Sequence, residues 1–188
     1  MLKLLSRTLL LFLLFAAPAF SGGYGIDSSD SEKIRKLFYA GIEDEDRVEE
    51  LLALLSGQFR KSLQSKNPFV LAYYGAGETL LGKHAWNPIS KLSHLNTGLE
   101  KIAGALAKAP DDLEFRFLRF SILHHLPGIL GYSEERDQDK SMIYALLIKG
   151  DQQGMDRKTY RGIVEFMISS ERMSETENQR LNSLLSRL

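Results

Sequence analysis

The chain has 188 residues, with 24 basic and 24 acidic side chains, 44% hydrophobic residues and no cysteine. That composition belongs to a globular chain of about one domain, and it excludes disulfide frameworks, thiolate nucleophiles, cysteine-held iron–sulfur or zinc sites and a cysteine-linked lipid anchor. A formal charge of zero argues against a dedicated nucleic-acid binder, whose footprint is a basic excess.

Residues 1–21 read as an export signal. Lys3 and Arg7 supply the positive start and residues 9–17 an apolar run, and Ala17-Pro18-Ala19 offers the small-x-small pattern of a cleavage site, with Ala19-Phe20-Ser21 as an alternative. The run falls short of the roughly 20 residues that a spanning helix needs, although an uncleaved anchor is the competing reading. Removing it leaves 22 basic against 24 acidic residues. No later run approaches membrane length, so the expected product is an exported protein, periplasmic or secreted, without an integral membrane segment. Gly22, Gly23, Gly25 and the Asp27-Ser28-Ser29-Asp30 run make residues 22–30 a flexible lead-in.

From residue 31 to 188 a single helical domain is expected. Ser31 caps a short helix carrying Ile34, Leu37 and Phe38; Asp44 caps a second, with Val48, Leu51, Leu52 and Leu55 on one face and Gly57 at its end. Asn67-Pro68 and Asn87-Pro88 each place a cap before a proline at the first helical position, opening helices to about Gly82 and Lys108. Asp111 is expected to cap the next helix, which Pro127-Gly128 breaks. Ser133 opens another, with Ile143, Leu146 and Leu147 inward and Gly150 as its stop. Asp156 starts a helix bearing Tyr160, Ile163, Val164 and Met167. Ser174-x-x-Glu177 is a capping box before the leucines of the last. About eight helices joined by short links, with no convincing strand, predict an all-α fold of antiparallel hairpins, stacked as a short right-handed solenoid or a bundle.

Small residues on the helix from Asn67 (Ala72, Gly75, Ala76, Gly77) leave room for another backbone. The helix after Asp111 is apolar on two sides, Leu113/Phe117/Phe120 and Phe115/Leu118/Ile122, which places it inside a stack. Counting back from Pro110, Ala105, Ile102 and Gly98 occupy the small, apolar and small positions of a tetratricopeptide repeat's second helix, and Tyr73, Ala76, Gly77 and Leu80 fit its first. The segment resembles that repeat with about nine extra residues around Trp86, against the usual period of 34. The chain is also similar to a group of exported bacterial proteins that share N-P-x-x-K-L (Asn87–Leu92) and P-x-x-x-E-x-R-F-L-R (Pro110–Arg119). These resemblances imply fold and compartment, not an activity.

Chemistry-bearing patterns are sparse. Arg116 and Arg119 share a face with Asp112 on the most apolar helix, and Glu78 is the expected acidic partner. They form either an ion pair between helices or a groove for an anionic group or a peptide C-terminus. Tyr73, Tyr74 and Trp86, beside Lys83, His84 and Lys91, either wedge between hairpins or line a binding surface. His125 is the remaining candidate ligand contact. The four histidines lack ligand spacing, and no nucleophile elbow or phosphate loop occurs, so no metal and no cofactor is expected. The sequence therefore predicts a non-catalytic helical-repeat protein with a protein or peptide partner, serving interaction or scaffolding in the cell envelope. The alternative is a small-ligand pocket or enzyme site around Glu78, Arg116 and Arg119.

Overall fold

The computed structural model describes residues 24–150, 152 and 154–188; the segment read as an export signal lies outside them. Every regular element among the described residues is helical. In chain order these are α1 (Ser28–Gly41), α2 (Glu45–Gly57), α3 (Arg60–Gln64), α4 (Pro68–His84), α5 (Pro88–Leu106), α6 (Leu113–His124), a 3-10 turn (Gly128–Leu130), α7 (Ser133–Lys149), α8 (Arg157–Ser169) and α9 (Glu175–Leu185).

The caps explain most of these boundaries. Asp44, Asn67, Asn87, Asp156 and Ser174 each accept a hydrogen bond from a first-turn amide, and Ser174 and Glu177 form the reciprocal capping box. Two starts differ from expectation. α1 begins at Ser28, and Ser31 lies inside its first turn, its hydroxyl donating to the Ser28 carbonyl. α6 is capped by Asp112 rather than Asp111, through the Phe115 amide. α3 is the unexpected element; it closes at Lys66, a non-glycine residue with φ of 56°. The chain ahead of α1 is tied down: the Tyr24 ring meets Phe115 at 5.3 Å and its hydroxyl donates to Asp112 Oδ2 at 2.5 Å.

α4 and α5 pack antiparallel and very closely. A Cβ on Gly75 would lie 2.5 Å from the Gly98 carbonyl oxygen, and one on Gly98 2.4 Å from that of Gly75. Gly77 turns the other way, onto Leu52 of α2. α4 thus sits between two neighbours, which explains an interior of small residues that costs helix propensity.

α6 is the wall between two hydrophobic cores. Phe115 and Leu118 belong to one, with residues of α1, α2, α4 and α5; Leu113, Phe117 and Phe120 belong to the other, with residues of α7, α8 and α9. A smaller cluster of Leu95, Leu99 and Leu123 joins α5 to the end of α6.

Candidate functional site

Arg116 and Arg119 project from α6 toward α7, one turn apart, and meet Asp139. The Asp139 carboxylate is fully buried and accepts from Arg116 Nη1 at 2.7 Å, Arg119 Nε at 2.6 Å and Arg119 Nη2 at 2.8 Å. Arg116 Nε also donates to the Pro110 carbonyl at 2.7 Å. Both guanidiniums are mostly shielded from solvent, and each spends its charge on the same buried carboxylate. Glu78 is not their partner. It lies on α4 facing α5, where its carboxylate meets His94 Nδ1 at 2.9 Å.

A second buried carboxylate joins three helices. Glu114 of α6 accepts from Arg35 of α1 through Nε at 2.6 Å and Nη2 at 2.8 Å, and from the Tyr73 hydroxyl of α4 at 2.5 Å. Arg35 also lies over the Phe69 ring, 5.3 Å from its centroid. Burial, and next the charge of Glu114, push the Tyr73 phenol well above its usual range. Tyr73 is therefore a neutral donor held inside the core. Asp112, which caps α6 and accepts from Tyr24, is raised to about 6, chiefly by burial, against the hydrogen bonds that favour its anion.

The other expected contacts spread over the surface. Tyr74 is half-buried, with Lys101 Nζ 5.5 Å from its ring centroid. Lys83 donates to the Ile42 carbonyl and pairs with Glu43 at 3.1 Å. His84 Nε2 lies 2.9 Å from the Gly41 carbonyl, and Lys91 Nζ donates to the Lys83 carbonyl at 3.0 Å. Lys83 and His84 pin the end of α4 to the α1–α2 turn, and Lys91 ties the first turn of α5 back to the end of α4. His125 is exposed and stacks edge-on with His124. His124 Nδ1 in turn accepts from Arg172 Nε at 2.8 Å, and burial, His125 and Arg172 lower its pKa. Among the described residues, no group of three or more His, Asp or Glu side chains is placed to hold a metal ion.

The structure separates the aromatic candidates. Tyr73 is the wedge, fully buried. Trp86 is not: it is 98% exposed, on the α4–α5 loop. Two apolar residues that the sequence reading did not single out accompany it, Ile89 at 83% and Ile129 at 93% exposed. Leu92 and Leu130 add further exposed apolar surface. Asp139, Glu114 and Arg35 were also missed. Asp139 carried a usable signal, since it precedes Ile143, Leu146 and Leu147 at helical spacing and so shares their inward face.

No protein-family model matches the chain, and neither a curated protein nor a solved structure matches it.

Proposed function

We propose that the protein is an exported, non-catalytic helical module of the tetratricopeptide type, built as stacked antiparallel hairpins, that serves binding or scaffolding in the cell envelope. Its working surface is the end carrying Trp86, Ile89 and Ile129. The observation that carries this reading is a division of labour among side chains. The buried charges are used on one another, Asp139 with Arg116 and Arg119, and Glu114 with Arg35, while large apolar side chains stand in solvent at one end. Buried, fully paired ions tie helices together; exposed apolar clusters mark interaction sites. Export is supported by Lys3, Arg7 and the apolar run that follows them. The tetratricopeptide reading is supported by the close α4–α5 packing at Gly75 and Gly98.

A ligand pocket around Glu78, Arg116 and Arg119 has less support, because these residues bond different partners on different helices. Photo-cross-linking in intact cells tests the proposal. A cross-linking side chain at position 89 or 129 is expected to give a defined adduct, to protein or lipid, while the same group at exposed Glu32 or Lys36 of α1 gives none. Equal labelling at all four positions, or none at any, overturns it.

A further inference from the structure

The shape and charge of the apolar end narrow what covers it. Successive helices α4, α5 and α6 run antiparallel, so the α4–α5 loop and the α6–α7 connection emerge at the same end of the molecule. Leu126 and Tyr132 pack against Leu95, Leu99 and Leu123, and the Tyr132 hydroxyl donates to Asn96 Oδ1 at 3.1 Å, which fixes the second loop beside α5. Trp86 and Ile129 stand on these two connections and Ile89 in the first turn of α5, almost wholly in solvent. They are projecting tips rather than the walls of a groove. Isolated exposed apolar residues are ordinary; three large ones near full exposure at one end are not.

Charge gives the second constraint. Residues 79–99 and 115–133, which contain both connections, hold no Asp or Glu, yet they carry Lys83, Lys91 and all four histidines. Carboxylates flank the tips at this same end: Glu43, Asp44, Glu45 and Asp46 at the α1–α2 turn, where Lys83 pairs with Glu43 and His84 meets the Gly41 carbonyl, and Glu134 and Glu135 at the start of α7.

We propose that this end docks on a phospholipid bilayer, with Trp86, Ile89 and Ile129 entering the interfacial layer and Lys91, on the same helix as Ile89, at the headgroup level. The inference rests on the reading above, that this end is the working surface, and names its partner. A fluid interface accepts projecting apolar side chains without a matched pocket, whereas a protein would have to offer a separate cavity for each tip. Tryptophan favours the headgroup level, where its ring is apolar and its N–H wet, and lysine keeps its charge at the surface while burying its stem. The tips themselves carry no carboxylate, and with acidic residues flanking them the contact is led by the apolar side chains rather than by charge. The contact is peripheral, since no helix among the described residues is long and apolar enough to cross a membrane.

Trp86 is the only tryptophan in the chain, so its fluorescence reports this end alone. The full chain is mixed with phosphatidylcholine vesicles, with and without phosphatidylglycerol. Trp86 emission is expected to shift to the blue and to be quenched by brominated acyl chains with either lipid. Replacing both tips (Ile89→Ser with Ile129→Ser) is expected to weaken vesicle binding read at Trp86 by about tenfold or more. The circular dichroism and melting temperature of that variant should stay at the wild-type values, because neither side chain is packed. Unchanged Trp86 emission overturns the inference even if the chain sediments with vesicles, since its N-terminal apolar run alone would carry it down. Unchanged emission together with a protein adduct from position 89 removes the lipid and keeps the binding reading; no shift and no adduct removes both.

Discussion

A carboxylate taken out of water persists as an anion only where donors replace its hydration, and Asp139 has three of them, all from Arg116 and Arg119. Truncation to Asp139→Ala strands two guanidiniums against the α6–α7 interface and should cost about 3–5 kcal/mol of stability in urea unfolding. Replacing all three by methionine (Arg116→Met, Arg119→Met, Asp139→Met) should recover most of that loss, because an apolar trio removes the desolvation cost together with the attraction. A role in ligand binding would instead leave Asp139→Ala folded and near wild type. Asp112 gives a test by pH. Its carboxyl titrates at about 6 in the fold, against 3.8 ordinarily, so the folded chain holds that proton more tightly than the unfolded one. The ionised form therefore costs stability at pH 7, and the cost fades as the pH falls through 6 toward 4. Asp112→Asn can keep the cap on Phe115 while remaining neutral. Measured against wild type, its relative stability should improve by on the order of 2 kcal/mol between pH 4 and pH 7; a gap independent of pH would rule out the buried ionisation. At this scale the sequence was only partly legible. The arginine pair could be read from its spacing, but its partner could not, because Glu78 and Asp139 are both plausible anions and only the packing of α7 against α6 selects one. Trp86 was ambiguous for the same reason: an aromatic residue beside a helix start reads alike whether it faces a core or solvent.

Helix starts were read well because a cap is a local event, settled by a side-chain oxygen and an amide two or three residues away. Asp44, Asn67, Asn87, Asp156 and Ser174 act where their neighbours in sequence place them. α3 escaped because Arg60–Gln64 buries no residue and so leaves no apolar periodicity to detect. The α4–α5 pair was legible through its glycines, and their two kinds of environment lead to opposite outcomes. At Gly75 an added methyl meets backbone oxygen at 2.5 Å and Lys101 Cβ at 2.9 Å, so the helices must part. Gly75→Ala should lose about 1–3 kcal/mol despite alanine's better propensity. At Gly162, exposed in α8, the methyl meets nothing within 4 Å, and Gly162→Ala should gain about 1 kcal/mol. Thermal melts of the two variants decide the matter. Similar gains in both would mean that α4 and α5 do not touch through their backbones.

Across the whole molecule, α6 gives the chain its unity. Its two apolar faces were visible in the sequence as Phe115/Leu118 and Leu113/Phe117/Phe120; what they faced was not, since that depends on helices far along the chain. Those faces belong to different cores, and each also carries an ion pair outward, Glu114 to Arg35 of α1 and Arg116 with Arg119 to Asp139 of α7. Neither core can open fully while α6 keeps its place, and α6 loses half its packing if either opens. The two halves should therefore unfold as one cooperative unit rather than as separate subdomains. Phe120→Ala tests this from one side. Phe120 is fully buried in the core shared with α8, and its truncation should cost about 3–5 kcal/mol. Native-state hydrogen exchange then reads both halves. Amides in α4, which lies across α6 from the lesion, should lose protection by the same free energy as amides in α8. If only α8 is weakened, the cores are independent, and α6 is a partition rather than the member that couples them.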